Sequence, residues 1–127
     1  MEADPSEHRR VQSYEDLEVF QRAMALVRPI HDLVRSFPDF ERFDLVQQMR
    51  RAAKSVPTNI AEGFSRQTSA KDYRLFLAHS LGSTNEMLVH LQIAAELEYA
   101  ATDLTNQLRA EYSIVARQLN RPIRSWK

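Results

Sequence analysis

The side chains best suited to chemistry lie in two stretches, SVPTNIAEGFSR at residues 55–66 and FLAHSLGSTNE at residues 76–86. Ser80 and Ser83 beside His79 raise the idea of a nucleophile and its base. A triad also needs a carboxylate to orient the imidazole and donors for an oxyanion, and neither pattern accompanies these residues. Glu86 and His90 stand four apart, and His79 and His90 share a helical face, but eleven residues of helix would hold those two imidazoles ~16 Å apart. The Glu-x-x-His pairs of a di-iron bundle are absent. The only two glycines, Gly63 and Gly82, are nineteen residues apart and make no phosphate-cradling loop, and there is no cysteine for thiolate or metal chemistry. No catalytic, cofactor-binding or metal-ligating residue is therefore expected, and the protein reads as a non-enzyme.

Binding remains. Arg50, Arg51, Lys54, Arg66, Lys71 and Arg74 form a run of six bases against Glu62 and Asp72 between residues 45 and 75. Such a run holds nucleic-acid phosphates, or it is a solvated face paired to acidic segments of the same or a neighbouring chain. A second basic group, Arg109, Arg117, Arg121, Arg124 and Lys127, closes the chain with Trp126 beside it. In contrast, residues 76–108 carry four acids and neither Lys nor Arg. The whole chain of 127 residues has 17 bases and 17 acids, so the strong positive field of a typical nucleic-acid binder is missing.

The elements that must position these residues are helices. Leu17, Phe20, Met24, Val27, His31 and Val34 recur at three and four, after Ser13 or Asp16 as a cap and up to Phe37-Pro38, with Pro29 inside the pattern. A second helix follows over about 42–64, opened by an apparent capping box at Asp44-Leu45-Val46-Gln47. Within it Asp44, Gln48, Arg51, Ser55, Asn59, Glu62 and Arg66 keep one narrow stripe, and Leu45 to Phe64 keep the apolar one. Both stripes cross Pro57 in register, so the spacing predicts one helix kinked at Pro57 rather than two. Its polar face is either solvated or a subunit contact or pore lining. Ser69 to Asp72 starts a third, long helix, and Gly82-Ser83 within it suggests a close approach by another helix. After a turn near Glu98-Tyr99-Ala100-Ala101, Thr102 caps a fourth helix that Pro122 is expected to stop.

Two glycines, no cysteine and abundant Ala, Leu, Glu, Gln and Arg fit an all-α chain. The expected architecture is an antiparallel up-down-up-down four-helix bundle over residues 13–121, flanked by tails at 1–12 and 122–127. The first and third helices carry more apolar residues than one small bundle can cover, which suggests subunit contacts. No signal peptide or membrane span is evident, and a cytoplasmic location is expected.

DLEVFQRA, FPDFE, LVQQMRRAAKSVPTNIAEGFSR, FLAHSLGSTNE and LEYA together resemble the four-helix bundle family of 23S rRNA intervening-sequence (S23-like) proteins, over about residues 13–120. Arg50, Arg51, Asn59, Glu62, Gly63, Gly82, Ser83 and Glu86 match the family's pattern. The resemblance implies a bacterial protomer that assembles into a ring-shaped homopentamer. A similar protein is the accessory subunit of diversity-generating retroelements, which binds nucleic acid and a reverse transcriptase. With Ser55 and Pro57 from the register of the second helix, Asn59, Glu62, Gly63, Gly82, Ser83 and Glu86 are candidates for packing or subunit contact. The chain departs from the pattern in its neutrality and in Glu98, where the family often has glycine.

Overall fold

The structure is a computed structural model that describes residues 12–125, with side chains through residue 121. The expected tail at 1–12 lies almost wholly outside the described residues. Four helices make up the fold: α1 (Glu18–Val34), α2 (Leu45–Ser65), α3 (Ala70–Glu96) and α4 (Thr102–Ser125). Two 3-10 turns, Tyr14–Asp16 and Asp39–Glu41, precede α1 and α2. The described residues are thus an all-α four-helix bundle.

The apolar sides of the four helices meet in one core, but on α1 the inward residues are Ala23, Leu26, Ile30, Leu33 and Val34; of the expected stripe only Val34 is buried, and Met24 stands 49% exposed. Ile30 from α1, Met49, Val56 and Ile60 from α2, Met87 and Leu91 from α3, and Tyr112, Val115 and Leu119 from α4 are fully buried. α3 packs along both α2 and α4, α1 along α2, and the α1/α4 contact is the lightest. Partners across the α2/α3 seam ascend on one helix as they descend on the other: Ser55 meets Ser83, Val56 meets Ser80 and Gly63 meets Phe76. Arg22 and Glu111 at 3.2 Å, and Glu18 with Gln118, relate α1 and α4 in the same opposed sense.

Helix ends depart from the sequence reading in instructive ways. Ser13 does form a capping box with Asp16, but around the 3-10 turn, so that α1 begins only after an extended Leu17. Asp44 sits at the N-cap of α2 without capping it. Its carboxylate accepts from Gln48 Nε2 at 2.7 Å, and Glu41 Oε1 instead accepts from the Leu45 amide at 3.4 Å. Ser69 caps α3 as expected, accepting from the Asp72 amide at 3.2 Å. Thr102 lies inside α4 rather than before it, and α4 runs past Pro122 to Ser125. One missing amide removes a single helical hydrogen bond, which does not by itself end a helix in its last turns.

The turn after α3 is a Schellman closure. The Tyr99 amide donates to the Ala94 carbonyl at 2.9 Å and the Glu98 amide to that of Ala95 at 3.0 Å. This geometry requires a left-handed residue, and Glu98 fills it with φ 61°. Tyr99 then donates its hydroxyl to Glu41 Oε2 at 2.7 Å and packs its ring 5.2 Å from that of Phe37. The α1/α2 and α3/α4 connections are thereby joined at one end of the bundle.

Candidate functional surfaces

α2 remains one helix through Pro57, as the register of its two stripes predicts. Proline has no amide to give the Ala53 carbonyl, and the polar residues around it serve neighbouring acceptors. Thr58 Oγ1 donates to the Lys54 carbonyl at 2.8 Å, and Asn59 Nδ2 to the Ser55 carbonyl at 2.9 Å. Asn59 also donates to Ser55 Oγ at 3.0 Å, which lies 2.8 Å from Ser83 Oγ on α3. Ser80, wholly buried, donates to the Val56 carbonyl at 2.8 Å. A line of small hydroxyls therefore knits α2 to α3.

The two glycines have opposite surroundings. A Cβ on Gly63 would stand 3.2 Å from the Phe76 Cβ and 3.5 Å from the Tyr73 carbonyl, so this is where two helices come close. Gly82 meets nothing within 4 Å and is exposed. The close approach expected there does not occur within the protomer. Among the proposed contact residues, Ser55, Pro57, Asn59, Gly63 and Ser83 serve the packing of this chain. Glu62 pairs with Arg66 at 2.9 Å, and Glu86 with His90 Nε2 at 3.0 Å.

Ser80 and Ser83 are engaged at the seam while neighbouring His79 is exposed and set edge-on to Phe76. Among the described residues no three His, Cys, Asp or Glu side chains gather as metal ligands would. Titration is perturbed at tyrosines. Burial pushes the phenols of Tyr112 and Tyr73 up, and the hydrogen bond to Glu41 raises that of Tyr99. Tyr112 is fully buried and its hydroxyl has no partner, so its shift reflects a desolvated core and not an active site.

The six bases separate into two groups. Arg50, Arg51 and Lys54 are exposed on the first half of α2 and share a concave surface with Arg42, Phe43 and Gln47. An adjoining hollow, lined by Arg35, Phe37, Asp39 and Val46, shares Arg42 and Arg50 with it. Arg66 stands twelve residues beyond Lys54, ~18 Å along the axis, paired with Glu62 and lying over the Phe76 ring. Lys71 and Arg74 continue from there onto α3. Arg42 and Phe43 escaped the sequence reading because they precede α2 in a segment of balanced charge. The signal available was their adjacency, in ERFDLVQQMRR, to a helix with Arg50 and Arg51 about two turns later. Of the terminal basic group, the side chains of Arg124, Trp126 and Lys127 lie outside those described.

α3 has a second apolar side. Its inner face buries Leu77, Ser80, Thr84, Met87, Leu91 and Ala94, yet Leu75, Val89 and Ile93 stand 49%, 54% and 39% exposed. Leu75, Gly82 and Val89 are spaced by seven and so lie on one line. Among the described residues no helix is long and apolar enough to cross a membrane.

Comparison with curated proteins finds no match. The family model described as 23S rRNA-intervening sequence protein matches residues 15–121, spanning the bundle from the first 3-10 turn into the last turns of α4. The chain belongs to the 23S rRNA-intervening sequence protein family.

Proposed function

We propose that the protein is a non-enzymatic, cytoplasmic assembly module that closes into a ring-shaped homopentamer and serves as an adaptor for other components. The observation that carries this reading is the outward face of α3, where Leu75, Val89 and Ile93 flank an open Gly82. Each such side chain gains about 1.5–3 kcal/mol on full burial, and a glycine between them lets a second backbone approach. A ring needs unlike surfaces to meet. The acid-only segment 76–108 supplies one of them, facing bases of the next copy. The number five comes from the family resemblance.

Light scattering at micromolar protein tests the reading directly. The expected mass is five times the 14.8 kDa chain, and Val89→Glu is expected to release folded monomers. A wild-type monomer at that concentration overturns the proposal.

A second reading has its own observation. Arg42, Arg50, Arg51 and Lys54 share one surface and, among the described residues, none of them has an ion-pair partner. Four uncommitted cations on a neutral chain suit phosphates, and the protein then acts as a nucleic-acid-binding accessory factor.

A further inference from the structure

The cationic surface on the first half of α2 also carries an aromatic ring in the open. Phe43 is 83% exposed and Phe40 77%, the two most exposed large apolar side chains described. Phe43 lies among the cations, lining the same concavity as Arg42, Arg50, Arg51 and Lys54, with the Arg42 guanidinium 5.6 Å from its ring centroid. One side of the ring faces a cation, and its exposure leaves room on the other. The nearby carboxylates are mostly engaged: Asp44 accepts from Gln48, and Glu41 from Tyr99 and the Leu45 amide. Asp39, on the adjoining hollow, is the remaining acid.

Building on the nucleic-acid reading above, we propose that this surface selects single strands, with one unpaired base stacked on Phe43 and the flanking phosphates held by Arg42, Arg50, Arg51 and Lys54. The reasoning is steric and electrostatic. Bases within a duplex are already stacked on both faces and offer an exposed ring only their edges, whereas a single strand can splay a base onto it. Arg50 and Lys54 are one helical turn apart, ~6 Å along the axis, and Arg51 lies between them, so the three cations track a backbone rather than a point charge. Arg42 behind the ring strengthens the site for any base through its charge on the π face. Sequence preference is not implied, because every base has a face to stack.

Fluorescence anisotropy with labelled uridine and thymidine oligomers of about 15 nucleotides, beside a duplex of the same length, tests this at about 50 mM salt. Both single strands are expected to bind at least about tenfold tighter than the duplex. Phe43→Ala is expected to weaken single-strand binding by about tenfold or more, Phe43→Trp to retain it, and the Arg51→Glu/Lys54→Glu double variant to abolish it. Lys71→Glu/Arg74→Glu, in the first turns of α3 and beyond the far end of α2, is expected to leave it nearly unchanged. Circular dichroism of each variant is expected to match that of wild type, which separates loss of binding from loss of fold.

The failures are distinct. No binding of any probe overturns the nucleic-acid reading itself. Equal binding of strand and duplex, with Phe43→Ala silent, leaves that reading standing and overturns the stacking site. Competition by polyglutamate of equal charge as effective as that by the oligomer, or a changed mass of Phe43→Ala in light scattering, overturns it in favour of a protein contact.

Discussion

Ser80 on α3 donates its hydroxyl to the Val56 carbonyl of α2 at 2.8 Å, one residue before Pro57 and with no solvent access. The bond ties the longest helix to the backbone of its neighbour beside the position where that neighbour lacks an amide. Removing the hydroxyl leaves the carbonyl its helical partner but loses the cross-seam bond. Ser80→Ala is expected to cost about 1 kcal/mol. Urea denaturation should show a lower midpoint at unchanged slope, and an unaltered midpoint would show that the bond contributes nothing.

Gly63 and Gly82 differ in what surrounds them, so the same substitution should act in opposite directions. Alanine at 63 places its methyl 3.2 Å from the Phe76 Cβ, which is anchored to its own helix and cannot swing away. The overpacking cost of about 1–3 kcal/mol outweighs alanine's helix preference of about 1 kcal/mol. Alanine at 82 meets nothing in the protomer and should gain about 0.5–1 kcal/mol. Thermal melts of both, in the Val89→Glu background to remove any effect of assembly, should show opposite shifts; shifts of one sign would refute the contrast.

Glu98 occupies the left-handed position of the Schellman turn at φ 61°. An L-residue there carries roughly 1–2 kcal/mol of crowding between Cβ and carbonyl, which glycine lacks. Glu98→Gly is expected to raise stability by about 1 kcal/mol, and Glu98→Ala to bring no such gain. Calorimetry of the three proteins separates relief of backbone strain from loss of the carboxylate, since only the former distinguishes Gly from Ala.

Tyr112 buries a hydroxyl without a partner, so Tyr112→Phe is expected to stabilise by about 1 kcal/mol. The pH dependence follows from the raised phenol. The folded state favours the neutral ring, and the resulting stability is complete below the ordinary value of 10.0 and lost as pH rises beyond it. The unfolded chain then releases a proton that the folded one keeps, at up to about 1.4 kcal/mol per pH unit. Denaturation midpoints measured on both sides of that value should decline less steeply in Tyr112→Phe than in wild type. The slope that persists belongs in part to Tyr73, also raised by burial. Identical slopes would mean that Tyr112 ionises as freely folded as unfolded.

Periodicity carried the sequence reading far. The stripe from Asp44 through Ser55 and Asn59 to Arg66 identified one helix through Pro57, because a helix that restarted would have no reason to keep phase. Ser69 announced α3 through a local hydrogen bond spanning three residues, which sequence spacing can encode. Asp44 shows where that logic fails. Its pattern fitted a cap, but Glu41 from the preceding 3-10 turn serves the amide instead, and spacing does not reveal which of two nearby carboxylates is aimed correctly. Gly82 was read as a close approach that the protomer does not make, since a missing side chain carries no mark of whether its space is filled.

Composition and local phase alone therefore determined four helices and the Pro57 crossing. Those are short-range properties, set by a repeat of about 3.6 residues and by the side chains a segment contains. Packing decided the rest. It set Ser83 against Ser55, gave Gly63 a neighbour and Gly82 none, and gathered Arg42 and Phe43 with Arg50, Arg51 and Lys54 on one surface. Which side of a helix meets another helix depends on residues distant in the chain, and no periodicity within a segment contains that information.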